Sequence, residues 1–344
     1  MKKKNVLVAL GVTTVIIIAL VAILIATRKS KEVNVNPNDP AVETTENGEM
    51  SEEDLSKYQS EKQDVPVTDG DFVYKNENKT EIIGLSETGR KTMDLIFPEK
   101  VTKISNIYIP SDSLLHSVYF MNLDVELENV SFANSRVEEI QNWPTTITEI
   151  SDNMFSGCTR LTTLGSTKGV ITIPENVTSI GNGAFAGCTA IKEVDFNNVT
   201  EIRGYAFQGC TRLNVLNWTK VETIGDAAFF GSGVTEVELP DTCKTLGSIV
   251  FFRCPNLTSL NINNVESVNQ GLCRECTALT DFYANKNFEA TVVETSDSDA
   301  NEEIDAYETL FMDCNNVILH INKKSALAEY LDKHPNSNFT VVNE

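Results

Sequence analysis

Residues 180–216 read IGNGAFAGCTAIKEVDFNNVTEIRGYAFQGCTRLNVL, and one pattern of residues begins in them and recurs 22 positions later. Phenylalanine returns at this interval as far as residue 251, an aliphatic residue as far as 268, and cysteine, with one serine in its place, as far as 276. The three columns are Phe185, Phe207, Phe229 and Phe251; Cys188, Cys210, Ser232, Cys254 and Cys276; and Ile180, Ile202, Ile224, Leu246 and Val268. A fixed period of this length is typical of solenoids, in which each repeat forms one turn and neighbouring turns share a core.

Each repeat divides into a turn and a strand. The segment Leu213-Asn-Val-Leu216-Asn-Trp218 alternates apolar and polar residues at its end, which predicts a short strand with one buried face. Equivalent strands of successive turns should form parallel ladders about 4.8 Å apart. The Ala-Phe-x-Gly-Cys segment predicts a tight bend, with phenylalanine directed inward and glycine where the bend needs freedom in φ. We therefore predict a repeat solenoid with short parallel β-strands.

The turn signature Ala-Phe-x-x-Cys-x-x-Leu resembles that of the BspA-like family of leucine-rich repeat surface proteins. It occurs, with small variations, at residues 154–158, 184–188, 206–210, 228–232 and 250–254. The resemblance is clear over residues 147–284 and weaker over 72–146 and 305–343. Eight extra residues around Gly165–Gly169 and an acidic insertion depart from the pattern. The resemblance implies a leucine-rich repeat fold and a role in adhesion or protein interaction, with partners that vary across the family.

The chain divides into six predicted regions. We predict a cytoplasmic stub and transmembrane helix in 1–29, an acidic disordered linker in 30–70, an N-terminal cap and first repeat in 71–104, leucine-rich repeats in 105–284, an acidic insertion in 285–306, and a last repeat with a C-terminal cap in 307–344. The linker carries eleven acidic residues against three lysines, so it has too little apolar surface to offset the entropy of ordering.

An uncharged run covers residues 6–27. As a helix it would be about 33 Å long, enough to cross a bilayer, and it is longer than the apolar region of a usual signal peptide. We favour an uncleaved single-pass anchor; a cleaved signal peptide is the alternative. Basic residues flank the run on both sides, so the positive-inside rule does not decide which end of the helix faces the cytoplasm. We expect the bulk of the chain to be extracellular, at the cell membrane.

The net charge of −21, from 28 basic and 49 acidic side chains, argues against a nucleic-acid partner, which requires a basic surface. His116, His320 and His334 are the only histidines, and none lies in a nucleophile or metal pattern. Glycine-rich phosphate loops and Gly-x-Ser-x-Gly are also absent from the sequence. We therefore predict that the chain is not an enzyme and needs no cofactor.

The eight cysteines are predicted to be buried free thiols rather than disulfides. Several occupy one position of the repeat, where Ser232 also occurs without disturbing the period. Cys243 aligns with core valines of other repeats. Cys273 and Cys276 form a Cys-x-x-Cys, but Cys273 occupies the phenylalanine column and no second pair provides zinc spacing. We expect neither a metal site nor a redox site there.

The predicted strands place two columns of residues on their outward face. These candidate partner-binding residues are Glu193, Asp195, Val215, Asn217, Glu236, Glu238, Ser259, Asn261, Asp281 and Tyr283. Adjacent columns of a stacked sheet would form a continuous surface, which solenoids use for recognition. The alternative is that these residues are simply solvated. Trp218 shares its register with Phe196 and should be buried.

A segment of the acidic insertion has the spacing of oxygen ligands in a calcium loop. Its candidate ligands are Asp297, Asp299, Asn301, Asp305 and Glu308. Glu302 stands where such a loop needs glycine for its sharp turn, so a solvated loop without metal is the favoured interpretation.

Two functional hypotheses follow. The first is a membrane-anchored bacterial surface protein that binds a protein or glycan partner through the repeat face. The second is an envelope scaffold that binds a partner in its own membrane, also without catalysis.

Overall fold

The computed structural model describes residues 65–265, 267–285, 289–290, 309–335 and 338–343. The expected membrane helix in 6–27, nearly all of the acidic linker and the candidate calcium ligands lie outside the described residues. Within the described ranges, we find no helix whose length and apolar character would suit a bilayer crossing. The described residues form a β-solenoid whose turns contribute short strands to two sides.

The elements follow one another in a regular succession. The strands are β1 (Val67–Asp69), β2 (Phe72–Tyr74), β3 (Glu81–Leu85), β4 (Asp94–Phe97), β5 (Lys103–Tyr108), β6 (Ser117–Phe120), β7 (Glu126–Ser131), β8 (Glu139–Gln141), β9 (Glu149–Ile150), β10 (Thr163–Leu164), β11 (Ile171–Thr172), β12 (Ser179–Ile180), β13 (Glu193–Asp195), β14 (Glu201–Ile202), β15 (Val215–Asn217), β16 (Thr223–Ile224), β17 (Glu236–Glu238), β18 (Thr245–Leu246), β19 (Ser259–Asn261), β20 (Ser267–Val268), β21 (Asp281–Tyr283), β22 (Glu289–Ala290), β23 (Val317–Ile321) and β24 (Phe339–Asn343). A 3-10 helix covers Gly89–Lys91, and the α-helix α1 covers Ala326–Lys333.

Four sheets arise from these strands. Their strand orders are β1-β2-β3-β5-β7, β4-β6-β8-β10-β11-β13-β15, β9-β12-β14-β16-β18-β20-β22 and β17-β19-β21-β23-β24. Among the described strands, β1–β2 and β2–β3 pair antiparallel, and the other pairs are parallel. The pairing of Val194 with Leu216 places equivalent residues of successive repeats side by side. The predicted solenoid of parallel strands with a 22-residue period is confirmed.

The core is a stack of phenylalanine rings, one from each regular turn. Phe185 and Phe207 lie 5.2 Å apart between ring centroids with their planes 7° apart, and Phe207 and Phe229 lie 5.4 Å apart at 5°. Phe155 and Phe251 continue the stack on either side of these rings. All of these rings are fully buried. Because each ring covers the next, a turn buries its phenylalanine only when both neighbours are present.

Two backbone positions in each bend adopt positive φ. Gly209, at φ +68°, represents the position before the cysteine, where glycine is common. The other position lies two residues before the phenylalanine and also accepts larger side chains. In one repeat it is Ile249, at φ +50°. A β-branched residue is poorly suited to this left-handed conformation, because its Cβ crowds the main chain.

Replacing Ile249 with glycine should therefore give a higher free energy of unfolding than replacing it with alanine, by about 1 kcal/mol. Both changes remove the same branched side chain, but only glycine relieves the left-handed strain. Urea denaturation of the two variants measures the difference. The matched control is Ser248, whose φ is not positive; there the glycine variant should be the less stable of the two. A more stable Ile249→Ala would contradict the assignment of strain.

All eight cysteines are free and buried, which confirms the prediction of unpaired thiols. The thiol of Cys210 donates a hydrogen bond to the carbonyl of Phe185 in the preceding turn, with a sulfur–oxygen distance of 3.2 Å. The thiols of Cys273 and Cys276 reach different carbonyls, those of Leu310 and Phe251. Burial raises the pKa of Cys210 to about 12, so the reactive thiolate is scarce at neutral pH.

We expect a bulky maleimide at pH 8 to leave the eight thiols of the native protein unmodified over hours, and to label all of them in guanidinium. Burial blocks access, and the raised pKa values of Cys158, Cys210 and Cys243 suppress thiolate formation. Mass spectrometry counts the adducts. Rapid labelling of any one cysteine in the native state would contradict a purely structural role for that residue.

The ends and the insertion modify the regular pattern. The described residues include β1, which lies upstream of residue 71, where we expected the fold to begin. The eight extra residues near Gly165 add one strand to a sheet, because both β10 and β11 join it. At the C-terminal end, the side chain of Ser325 caps α1 by accepting a hydrogen bond from the amide of Ala328, and β24 pairs with β23, as expected for a C-terminal cap.

Candidate functional site

The ten candidate residues lie on the outward face of five strands, β13, β15, β17, β19 and β21, and we call this surface the strand face. Within it, Glu193 lies beside Val215 and Asp195 beside Asn217. The same register continues through β17, β19 and β21. The side chain of Val215 is 39% exposed although it is apolar. The structure thus places all ten residues on one side of the solenoid; that they bind a partner stays a prediction.

The strand face is interrupted between β15 and β17. β15 is the last strand of one sheet, and β17 is the first strand of another. The prediction of one continuous sheet surface is therefore wrong between these two strands. The opposite side of the same two turns is intact, because Thr223 of β16 pairs with Thr245 of β18. The interruption is confined to one ladder.

A shift of one residue explains the interruption. In one repeat, Leu213 follows Cys210 by three positions; in the next, Val234 follows Ser232 by only two. An extra residue before Cys243 then restores the period. The strand β17 therefore starts one position early relative to β15, although the phenylalanine and cysteine columns keep their 22-residue spacing.

Gly233 lies where this repeat is one residue short, and its main chain joins the two turns there. Its amide donates to the carbonyl of Cys210 at 3.1 Å. A Cβ at this position would lie 2.3 Å from the carbonyl oxygen of Thr211, so only glycine permits the close approach. The two turns are thus in contact at the bend, but β15 and β17 do not pair.

The indole of Trp218 spans the separation. Its Nε1 donates to the carbonyl of Glu238 at 2.8 Å. In the preceding turn, the equivalent bond is made by the main-chain amide of Phe196 to the carbonyl of Asn217, at 3.0 Å. A side chain has therefore replaced one main-chain ladder bond. The indole is only 8% exposed, which confirms the predicted burial of Trp218, and it packs edge-on against Phe229.

Main-chain groups remain open on both sides of the separation. The amide of Asn214 donates to the carbonyl of Lys192, and that of Thr258 donates to Thr235. Thr235 occupies the same position in its turn, yet among the hydrogen bonds of the described chain its amide donates to no other residue. The same holds for the amide of Trp218. These two groups would be ladder donors in a regular solenoid.

A cleft of about 1260 Å³ opens at this interruption. Seven of the ten candidate residues line it: Asp195, Asn217, Glu236, Glu238, Ser259, Asn261 and Tyr283. Its apolar surface includes Leu216, which is only partly buried, whereas the equivalent residue Val194 is fully buried. The structure thus brings most of the candidates together around a concave site. Glu193, Val215 and Asp281 lie outside the lining.

The cleft is strongly acidic. Five carboxylates line it, and Lys220 is the single basic residue among its lining residues. Lys220 donates to the side-chain carbonyl of Asn198 at 2.6 Å. Within the part of the chain that the structure describes, no ion pair reaches Glu236 or Glu238. The local potential is therefore negative and favours cationic groups.

Beyond the cleft, His320 extends the strand face. It pairs with Tyr283 across β21 and β23, and the two rings stack with centroids 4.1 Å apart. Its Nε2 lies 3.0 Å from Oδ1 of Asp281. This contact, together with the hydroxyl of Thr280, lowers the pKa of Asp281. Sequence reasoning missed His320 because the acidic insertion separates it from the column; the alternation in residues 317–321 was the available signal.

The residues around the cleft can supply hydrogen bonds, negative charge and apolar contact. Carboxylates, amide side chains and open main-chain donors surround an indole and a partly buried leucine. Among the described residues, no group of three or more histidine, cysteine and acidic side chains is arranged to hold a metal ion.

Replacing Trp218 with phenylalanine should lower the free energy of unfolding by about 1 kcal/mol more than the same replacement of Trp143. Trp218 loses its hydrogen bond to Glu238, whereas the buried Nε1 of Trp143 has no partner to lose. Both changes remove a similar amount of ring surface, so Trp143→Phe is the matched control. Thermal and urea unfolding measure the difference. Equal losses would mean that the indole bond contributes no net stability.

A family comparison supports the repeat assignment. The family described as BspA type Leucine rich repeat region matches in 6 copies over residues 86–214 and 200–296. A leucine rich cell surface protein of Faecalibacterium prausnitzii A2-165 is 18% identical, with a TM-score of 0.40 over 75% of this chain and 76% of that chain. The pneumococcal vaccine antigen PcpA is 17% identical, with a TM-score of 0.41 over 81% and 87% of the two chains. A leucine-rich repeat protein of T. pallidum is 19% identical, with a TM-score of 0.40 over 70% and 94%. No curated protein matches the chain.

Proposed function

Because the chain belongs to the BspA-type leucine-rich repeat family, we propose that it is a surface-displayed binding protein that recognises a protein or glycan partner through the strand face. The observation that carries the proposal is the cleft in that face. It gathers seven residues from five strands around open main-chain groups and an apolar floor. Concave surfaces of stacked repeats are the usual recognition sites of solenoids.

The composition of the strand face supports binding rather than catalysis. Its candidates are carboxylates, amides, one serine, one tyrosine and an exposed valine. These groups supply hydrogen bonds and charge along several neighbouring strands, which suits an extended ligand surface. We propose no enzymatic activity and no cofactor.

The proposed location is the outer side of a bacterial cell membrane, with residues 6–27 as a single-pass anchor. The support is the length of that uncharged run and the acidic composition of the chain. The second candidate function, an envelope scaffold, uses the same strand face with a partner in the same membrane.

Reversing charge on the strand face tests the proposal. In the full-length chain displayed on cells, Glu236→Lys with Glu238→Lys should weaken partner capture about tenfold or more, since two unpaired carboxylates beside the cleft are replaced by cations. The melting temperature should not change, because both side chains are exposed. Quantitative capture of host matrix, mucin and native membrane proteins provides the measurement.

The control is Glu99→Lys with Glu222→Lys, two exposed residues that do not line the cleft. It makes the same change in net charge and should leave capture unchanged. Loss of capture in both double variants would indicate a nonspecific effect of charge. Unchanged capture in both would remove the strand face from consideration. Capture of matrix or mucin favours adhesion, and capture of native membrane proteins alone favours the scaffold.

A further inference from the structure

We propose that the cleft binds an extended peptide segment bearing lysine or arginine at alternate positions, which pairs with the open edges of β15 and β17. This inference rests on the proposed function and names the chemical class of its partner. The ligand would restore, from outside, the main-chain hydrogen bonds that the solenoid lacks at this one point of the ladder.

The first support is the open main chain. β15 and β17 are both terminal strands of their sheets, yet they belong to consecutive turns in the interior of the solenoid. An unpaired strand edge is a template for another strand, and peptide recognition by strand addition uses such edges. The amides of Trp218 and Thr235 donate to no other residue of the described chain, and carbonyl groups of the ligand would accept from them.

The second support is the spacing of charge. Glu236 and Glu238 are two residues apart on β17, so both side chains project from the same face, while Val237 points to the core. An extended peptide beside β17 also presents every second side chain on that face, within about 5.5 Å of its cross-strand neighbour. The alternate positions of the ligand therefore meet carboxylates, and cationic side chains are the complementary choice.

The third support is the apolar surface between the strands. Leu216 is partly buried, whereas its equivalents Val194 and Leu260 are fully buried. The remaining positions of an extended ligand would direct their side chains toward Leu216 and the indole of Trp218. Apolar side chains of the ligand would cover the exposed part of Leu216, and the burial of apolar surface favours binding. The preferred ligand sequence therefore alternates basic and apolar residues.

The charge of the cleft also excludes competing ligands. Its five carboxylates repel phosphate and acidic peptides, and Lys220, the one cation of the lining, is engaged by Asn198. An acidic peptide of the same shape is thus a direct negative control.

The experiment uses the full-length chain carrying Trp143→Phe, which leaves Trp218 as the sole tryptophan. The probes are an acetylated and amidated hexapeptide of alternating lysine and valine, its counterpart with glutamate for lysine, and a version of the basic peptide N-methylated at alternate residues. Binding is measured by the fluorescence of Trp218 and by calorimetry. We expect the basic peptide to bind at least about tenfold more tightly than the acidic one. We expect N-methylation to weaken binding about tenfold, because it removes ligand N–H donors and its methyl groups keep the ligand main chain away from the strand edges.

Two variants locate the site. Glu236→Gln with Glu238→Gln should weaken the basic peptide about tenfold, and Glu99→Gln with Glu222→Gln should leave its affinity within about twofold. Equal binding of the acidic and basic peptides, or equal effects of the two double variants, would overturn the charge complementarity. Undiminished binding of the N-methylated peptide would overturn strand pairing. Binding of neutral oligosaccharides but not of peptides would overturn the inference as well.

Failure of the inference and failure of the proposed function are distinguishable. If the peptides do not bind but Glu236→Lys with Glu238→Lys still abolishes partner capture, the strand face binds a partner of another class and only the inference fails. If neither the peptides bind nor capture depends on these residues, both fail.

Discussion

The fold depends on one constraint: a single repeat has an apolar face that it cannot cover by itself. Stacking satisfies the constraint because equivalent residues of successive turns contact each other. The phenylalanine rings pack against one another, and the main chains pair in the two ladders. The cysteines of the bends fit the same scheme, because each is small and its thiol reaches a carbonyl of a neighbouring turn. Regular stacking leaves little freedom for the inward residues, so variation is concentrated on the outward positions.

The cleft is a local departure from this scheme. At that point the ring stack and one ladder continue, since Phe207 and Phe229 remain parallel and β16 pairs with β18. Only the ladder on the strand face is open, and there the indole of Trp218 substitutes for a main-chain donor. By donating to the carbonyl of Glu238, the indole replaces one hydrogen bond of the interrupted ladder, and a typical hydrogen bond contributes about 1 kcal/mol to stability.

Sequence reasoning was most successful where the period carries the information. Columns counted from the phenylalanines predicted the strands, the register of β13 with β15 and the burial of Trp218. The columns also followed the one-residue shift, since Glu236 lies 21 positions after Val215 and 23 before Ser259. They did not reveal the cleft, because a shift in the sequence does not say whether the neighbouring strands still pair. His320 was missed for a different reason: a long insertion hides its register.

The pairing of β16 with β18 opposite the cleft also bears on how the protein unfolds. In a linear array, each turn is stabilised by its own contacts and by the interfaces with its two neighbours, so cooperative unfolding stops at the weakest interface. Between the turns of β15 and β17, one ladder is replaced by an indole bond and a glycine contact. We therefore expect the turns before this interface and the turns after it to unfold as two separate cooperative units. A ligand bound across the two strands would join them into a single unfolding unit.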